Sequence, residues 1–365
     1  MKVIILAQPN DNHTSPIKWA LQQAGYQVVC WPGLSWTERQ QASLLVDQET
    51  TLTLGPHVVV EPGDAVWIRR PEPPVPNPNA SDADKKFVEN EYRNFYYTVA
   101  YLLETLPVRC VNKYSAARYV NNKGVQLHLA RACGLNAPRA LLSNSPQAIT
   151  NFFDHDSSRL IFKSFTPHMW QRQDIGGVAI TETFEITREQ LPRDEVLTYA
   201  PGIYQDMVVK KFDVRTVLIG NRIYSFALHN PKKALDWRAD ASKGRVDVEI
   251  IATPPEVEKG LLAFAGKTGV CFGSIDFAVD MEGQWWFLEI NEQGQFLWLD
   301  QSNRAARTQE KFCAFLTMLE GSTESLEERA RLFPSFLDYE NFLEKQDVPQ
   351  MDALVPGSPF LSMEP

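Results

Sequence analysis

The sequence predicts a layered α/β protein that opens with a small parallel unit and continues into antiparallel hairpins. Val3 to Ala7 (VIILA), a helical stretch from Pro16 to Ala24 and the YQVVCW run after Gly25 read as strand, helix and strand with glycine at the turn. Farther along, apolar alternation around Gly220-Asn221 and Glu282-Gly283 marks hairpins. A chain of 365 residues, 44% apolar and 22% charged, exceeds the roughly 250 to 300 residues at which single cores stop growing, so two or three subdomains are expected.

Taken in order, Trp36 to Gly55 carries two short β-like runs, and AVWIRRP (Ala65 to Pro71) reads as a buried strand ended by two arginines and a proline. The following PEPPVPNPNASDAD holds too many prolines for regular structure and is a loop. From Lys85 to Leu106, Phe87, Tyr92, Phe95, Val99, Leu102 and Leu103 recur at helical spacing. Cys110 to Asn112 begins the next piece, with a helix from Asn121 to Cys133 closed by Gly134. RALLSN is a strand, Ser145 caps a helix that starts on Pro146, and LIFKSF (Leu160 to Phe165) is a strand. Residues 178 to 188 alternate as a strand, and Gly202 to Leu228 supplies two strands around Gly220-Asn221. A helix from Pro255 to Thr268 precedes the hairpin GSIDFAVDMEGQWWFLEIN, and a last helix runs beyond Gln301 to Leu319. The expected units are 1–112, 113–202, 203–320 and a polar tail, 321–365.

A formal charge of -9 and a pI near 5.3 provide no global basic surface, which argues against nucleic acid as a partner. Cys30, Cys110, Cys133, Cys271 and Cys313 lack metal-ligand spacing, sit among apolar neighbours and read as reduced core residues. No secretory segment and no membrane-length apolar run is visible, so a cytoplasmic protein without a membrane partner is expected.

The segment richest in chemistry is FGSIDFAVDMEGQWWFLEINEQGQ. Glu289 and Asn291 stand two apart on one strand and so share a face, and Asp276 lies on the other arm of the hairpin. Flanked by Ile275, Phe277, Phe287, Leu288 and Ile290, such carboxylates call for a compensating cation, and two carboxylates with an amide suit Mg²⁺. An ordinary hairpin with solvent-facing acids fits the same letters. Lys163 interrupts an apolar strand, Lys123 starts a helix after Asn121 and Asn122, and Arg215 and Arg238 could clamp phosphate oxygens. Singly, each also fits a solvated surface charge. The histidines, His13, His57, His128, His155, His168 and His229, are dispersed, and no serine, histidine or cysteine sits in a nucleophile context.

In this order the set resembles the ATP-grasp superfamily from about Lys113 to Asp300: Lys123, Lys163, YQDMVVKKFDVR, Trp237-Arg238, Asp276 and the Glu289-Ile290-Asn291 motif. The resemblance implies an ATP-grasp fold with an N-terminal pre-ATP-grasp domain, a central domain and a C-terminal ATP-binding domain. It implies that Lys123 and Lys163 bind the α- and β-phosphates of ATP, and that Asp206, Met207 and Val208 hold adenine through the backbone with Gln205 beside them. Asp213 is placed near the ribose, Arg215 and Arg238 at the transferred phosphate, and Asp276, Glu289 and Asn291 as ligands of two Mg²⁺ ions. The loop SFTPHMWQRQDIGG matches the position of the family's lid.

Within the superfamily, AVWIRRP, FVENEYRNF, CVNKYSAARYVNNKGVQLHLARACGLNAPRALLSNSP, APGIYQDMVVKKFDVR and EINEQGQFLWLD are similar to the graspetide synthetases, including the microviridin ligases. Glu292 departs from the proline often found after the metal-binding asparagine. This closer likeness implies acyl-phosphate activation of Asp or Glu side chains of a ribosomal precursor peptide, closing ester or amide macrocycles. It also implies a leader segment docked between Lys123 and Gly202, and a homodimer. A RimK-like amino-acid ligase and a non-catalytic nucleotide-binding module are the competing readings.

Overall fold

The computed structural model describes residues 1–346 except 9–10, 36–39, 72, 155–158, 167–168, 173–176, 181–182, 232–234, 236, 242–243 and 320, and only the backbone of 169–172, 177–180 and 239. The N-terminal run comprises β1 (Lys2–Ala7), α1 (Thr14–Gln23), β2 (Gln27–Trp31), β3 (Ala42–Val46), β4 (Thr50–Leu54), β5 (Val58–Val59), β6 (Ala65–Arg70), α2 (Lys85–Leu102) and β7 (Arg109–Val111). It forms a parallel sheet of order β2-β1-β6-β7 and a β3-β4-β5 meander. Val3 to Ala7 is buried throughout because both faces of β1 are covered, which is why the strand reads as a continuous apolar run. Ile4, Leu6 and Val66 pack on Val99 and Leu103 at the end of the long helix, while Val3, Ile5 and Trp67 turn to the opposite core.

The middle of the chain comprises α3 (Tyr114–Val120), α4 (Lys123–Ala132), β8 (Ala140–Ser143), α5 (Pro146–Asp154), β9 (Leu160–Lys163), β10 (Met169–Arg172), β11 (Gly177–Ile180), β12 (Phe184–Ile186), α6 (Asp194–Leu197) and β13 (Gly202–Asp206). Strands β12-β9-β13-β8 form an antiparallel sheet, packed on one side through Tyr204 and Phe162 against Ile149 and Leu197, with β10 and β11 as a separate hairpin. The single strand expected over 178–188 is therefore two, divided between two sheets. His155, His168 and part of the expected lid lie outside the described residues.

The remainder comprises β14 (Lys210–Ile219), β15 (Arg222–His229), α7 (Arg238–Ala241), β16 (Asp247–Ile251), α8 (Pro255–Thr268), β17 (Phe272–Asp280), β18 (Trp285–Asn291), α9 (Trp298–Ser302), α10 (Thr308–Thr317), α11 (Leu326–Ala330) and α12 (Phe336–Lys345). The five-stranded sheet β16-β15-β14-β17-β18 is sandwiched. Val214, Leu218, Phe277, Phe287 and Ile290 face α3, α4 and α8; Val217, Ile219, Phe226 and Phe272 face α10 and the N-terminal sheet. The strand expected to start at Gly202 breaks at Met207–Val209 and joins two different sheets; the Met207 amide donates to Arg159 O at 2.7 Å, one step further along the β13–β9 register, before β14 begins in the other sheet.

Of the stretch 321–365, expected to be a polar tail, residues 321–346 instead form two helices that complete the core, and 347–365 lie outside the described residues. Ser325 with Glu328 and Ser335 with Asp338 make reciprocal capping boxes, and Leu326, Phe333, Phe336 and Tyr339 are buried against α1. Trp19 packs its ring 5.5 Å from that of Tyr339, and Tyr26 stacks on Phe333 at 6.0 Å. All five cysteines are free thiols. Cys110 and Cys313 are buried as expected, whereas Cys30 is exposed because β2 edges its sheet. Phe336→Ala is expected to cost about 3 kcal/mol, the usual penalty for emptying a buried aromatic site. Urea denaturation checks this, and an unchanged midpoint would show that α12 carries no core.

Candidate functional site

One face of β14 and β17 changes character along its length. On β14 the positions that share a face are Asp213, Arg215, Val217 and Ile219; their cross-strand partners on β17 are Ala278, Asp276, Ser274 and Phe272. Val217, Ile219 and Phe272 end in core, whereas Asp213, Arg215 and Asp276 line a cleft. On the far side of β17, Glu289 pairs directly with Asp276 and Asn291 with Ser274. Arg215, Asp276 and Glu289 therefore form one row across three strands.

A bulge makes that row possible. Asp276 pairs with Glu289 but Phe277 pairs with Phe287, so Leu288 is the extra residue. Without it, Phe287 and Glu289 would share a face; with it, Phe287 points into core and Glu289 into the cleft. The β18 backbone is held in place by amide side chains from outside the sheet. Gln126 on α4 donates to Ile290 O and accepts from Ile290 N, both at 3.0 Å, and Asn112 donates to Phe272 O at 2.7 Å and Glu292 O at 2.8 Å.

Asp276 is gripped by two guanidinium groups. Arg215 Nη1 lies 2.8 Å from Oδ1, and Arg238 Nη2, from α7, lies 2.9 Å from Oδ2 and 2.8 Å from Glu289 Oε1. Trp237, stacked on Trp298 at 5.0 Å, anchors the start of α7 in core. Lys163 and Lys123 complete the cluster from the opposite wall. Lys163 pairs with Ile203 on β13, which turns it toward Glu289, and Lys123 Nζ donates to Ser164 O at 2.9 Å. Loss of water lowers the Lys163 ammonium below its ordinary value, and Glu289 offsets this only in part. Burial acts to raise the Glu289 carboxyl, yet Arg238, Lys163 and Lys123 together bring it down to about 2.

The expected hinge residues lie along the same cleft. Gln205 is buried beside Lys163's sheet face, and its Nε2 has no hydrogen-bond partner among the described residues. The Asp206 amide donates to Arg139 O at 2.9 Å and its carboxylate takes the Arg139 guanidinium at 3.1 and 3.2 Å. Asp213 is buried and paired with Lys210 Nζ at 2.8 Å. At the start of α4, Asn122 accepts from the amides of Gly124 and Val125 at 3.1 and 3.2 Å and so caps the helix itself.

Hard oxygen donors fit a divalent cation here. Asp276, Glu289 and Asn291 share the cleft face, and opposite Asn291 the fully buried Ser274 Oγ is without a partner among the described residues. Among those residues no three His, Cys, Asp or Glu side chains form a metal-sized group, and the further oxygen on this face is that of the Asn291 amide, whose Oδ1 accepts from Gln293 N at 3.1 Å.

Sequence reasoning missed a second layer contributed by the N-terminal sheet. Arg69 is buried, its charge met by Asp11 Oδ1 at 3.3 Å, and it donates to the carbonyls of Gln293 and Gly294. Arg70 reaches Gln293 Oε1 at 2.6 Å. Burial, reinforced by the Arg69 guanidinium, lowers the His13 imidazole well below its ordinary value, and Nε2 accepts from Phe296 N at 3.1 Å. The only prior signal was the Arg69-Arg70 pair closing an apolar strand.

No family model matches the sequence, and no curated protein matches it. Solved structures do. The RiPP-associated ATP-grasp ligase of Chryseobacterium gregarium, in complex with ADP and a leader and core peptide, is 23% identical, with a TM-score of 0.74 over 86% of this chain and 96% of that one. The macrocyclase MdnC of Microcystis aeruginosa, bound with precursor peptide MdnA, is 20% identical, with a TM-score of 0.71 over 87% and 99%. The ATP-grasp ligase PsnB with minimal precursor, Mg and ADP is 20% identical, with a TM-score of 0.66 over 87% and 98%. The chain has the fold of the ATP-grasp ligases.

Since the Glu289 carboxyl is depressed in the folded state, its contribution to stability is complete above its ordinary value of 4.5 and fades as pH falls toward about 2. The difference in unfolding midpoint between wild type and Glu289→Gln is expected to stay constant from pH 7 to pH 5 and shrink only in more acid solution. A difference that disappears between pH 7 and pH 5 would show that the surrounding cations do not act on Glu289.

Proposed function

We propose that the chain is an ADP-forming carboxylate ligase that closes macrocyclic esters or amides on a ribosomal precursor peptide. The observation that carries this is the charge arrangement of the cleft: four cations, Lys123, Lys163, Arg215 and Arg238, surround two carboxylates, Asp276 and Glu289, leaving a positive excess beside hard oxygen donors. A polyphosphate with a divalent cation satisfies both halves at once. The similar structures hold ADP, Mg and precursor peptides in this fold, which supports the same reading.

In this reading Asp276, Glu289 and Asn291 would hold Mg²⁺, two ions by the family resemblance, which would supply positive charge against the nucleotide phosphates. Lys123 and Lys163 bind the α- and β-phosphates, and their partial desolvation strengthens the attraction. Because the Asp206 and Met207 amides already bond Arg139 O and Arg159 O, the amide contact to adenine falls to Val208, and the unpartnered Gln205 Nε2 supplies a side-chain donor. Asp213, with Lys210, flanks the ribose. Arg215 and Arg238 grip the transferred phosphoryl group.

A substrate carboxylate oxygen attacks the γ-phosphorus and ADP leaves, giving an acyl phosphate. A hydroxyl or amine of the same peptide then attacks the carbonyl carbon, phosphate departs, and the nucleophile's proton is released. The exposed Phe184, Val196 and Tyr199 give the segment between Lys123 and Gly202 an apolar surface suited to a leader peptide.

Incubation with ATP, Mg²⁺ and a candidate precursor is expected to yield ADP and phosphate and to lower the peptide mass by about 18 Da, one water, per ring. Hydroxylamine is expected to trap a hydroxamate on Asp or Glu of the peptide. AMP formation would overturn the reading, and addition of free amino acid in place of ring closure would favour the RimK-like alternative. Glu289→Gln is expected to stay folded and lose condensation; full turnover in that variant would remove Glu289 from the metal set.

A further inference from the structure

The two arginines at the end of β6 take no part in the reaction above, yet they reach into its machinery. Arg69 is almost wholly buried, and its Nη1 donates to Gln293 O and, at 3.2 Å, to Gly294 O. The next carbonyl along, Gln295 O, accepts from Arg215 Nη2 at 2.9 Å and from Trp298 Nε1 at 3.1 Å. Phe296 N closes the loop on His13. Asp11, which neutralises Arg69, also accepts the His13 and Thr14 amides at 2.9 and 3.0 Å, so one carboxylate ties together the two anchors of the loop, Arg69 on β6 and His13 beside α1.

On the other side the loop lies close against Phe272: Gly294 has φ +56° and a Cβ there would stand 2.6 Å from that ring. Arg215 thus has one nitrogen on Asp276 and another on a carbonyl whose position is fixed by Arg69 through the adjoining peptides. A planar guanidinium held at two points has one orientation. Loss of either point lets it rotate.

We propose that Arg69 is a positioning residue for the γ-phosphate clamp, holding the 293–296 loop so that Gln295 O orients Arg215. This rests on the nucleotide site proposed above. Arg69 touches no reacting group; its effect passes through a backbone carbonyl. Lysine cannot replace it, because a single ammonium lacks the fork that spans Asp11 and two carbonyls.

The test uses the full chain with Mg-AMPPNP and Mg-ADP as probes, by calorimetry, for wild type, Arg69→Lys, Arg215→Lys and the double variant. Arg69→Lys is expected to keep ADP affinity within about twofold and to weaken AMPPNP about tenfold, because only the γ-phosphate feels Arg215. In the Arg215→Lys background it is expected to add less than about twofold, the mark of two residues acting through one contact. Gly294→Ala, which displaces the loop without altering Arg69, is expected to give the same selective loss and serves where Arg69→Lys does not fold. Equal weakening of both nucleotides, or full additivity in the double variant, would reduce Arg69 to structural glue and overturn the proposal. Wild-type protein that binds neither nucleotide overturns the nucleotide site itself, a different failure.

Discussion

One carboxylate organises the cleft. Asp276 is almost wholly buried and accepts from Arg215 on one oxygen and Arg238 on the other, while Arg238 also bridges to Glu289. Buried ion pairs of this kind contribute little net stability, since desolvation offsets most of the attraction, but removing one partner leaves an uncompensated charge at a cost of about 3 to 5 kcal/mol. Geometry rather than stability is therefore what the cluster supplies. Three strands, a short helix and a loop take their relative positions from it, because each delivers one member of the set.

The cluster sits where a single sheet face passes from core to cleft. Between Arg215 and Val217 the same side of β14 changes from charged to apolar, and between Asp276 and Phe272 β17 does likewise, with Ser274 at the border. Phe312 on α10 covers the apolar half, its ring 4.3 Å from Phe272. Rigid packing thus reaches to within one alternation of the charged residues, which favours preorganised charge over charge that must be assembled.

Much of this was legible in the letters. Glu289 and Asn291 two apart, Asp276 in the facing arm and Lys163 inside LIFKSF all stand out because ionisable residues interrupt apolar strands, and the ordered set named the fold. What could not be read was relative placement. The bulge at Leu288 leaves the alternation of Trp285 to Asn291 unmarked, yet it decides which way Glu289 points. The break at Met207–Val209 falls inside an unbroken β-prone run, and nothing local marks the point where the chain passes from one sheet to the other. The Arg69 anchor joins residues more than two hundred positions apart, which no local pattern encodes. The C-terminal helices were misjudged for a different reason: their capping boxes at Ser325 and Ser335 were present, but sparse apolar residues concealed a face that is completed only by α1.

The union of α1 with α11 and α12 has a consequence for how the protein is made. Ile5, Ile17 and Leu21 share one core with Phe312, Phe333 and Tyr339, residues from opposite ends of the chain. On the ribosome, the first strand and helix leave the exit tunnel long before the segments that cover them, so one face of that sheet stays bare for most of translation. At about 5 to 20 residues per second, the wait between the first layer and its cover is roughly 15 to 60 seconds. During that interval the apolar side of α1 lacks the residues that cover it in the folded chain, so this layer is completed only near the end of synthesis.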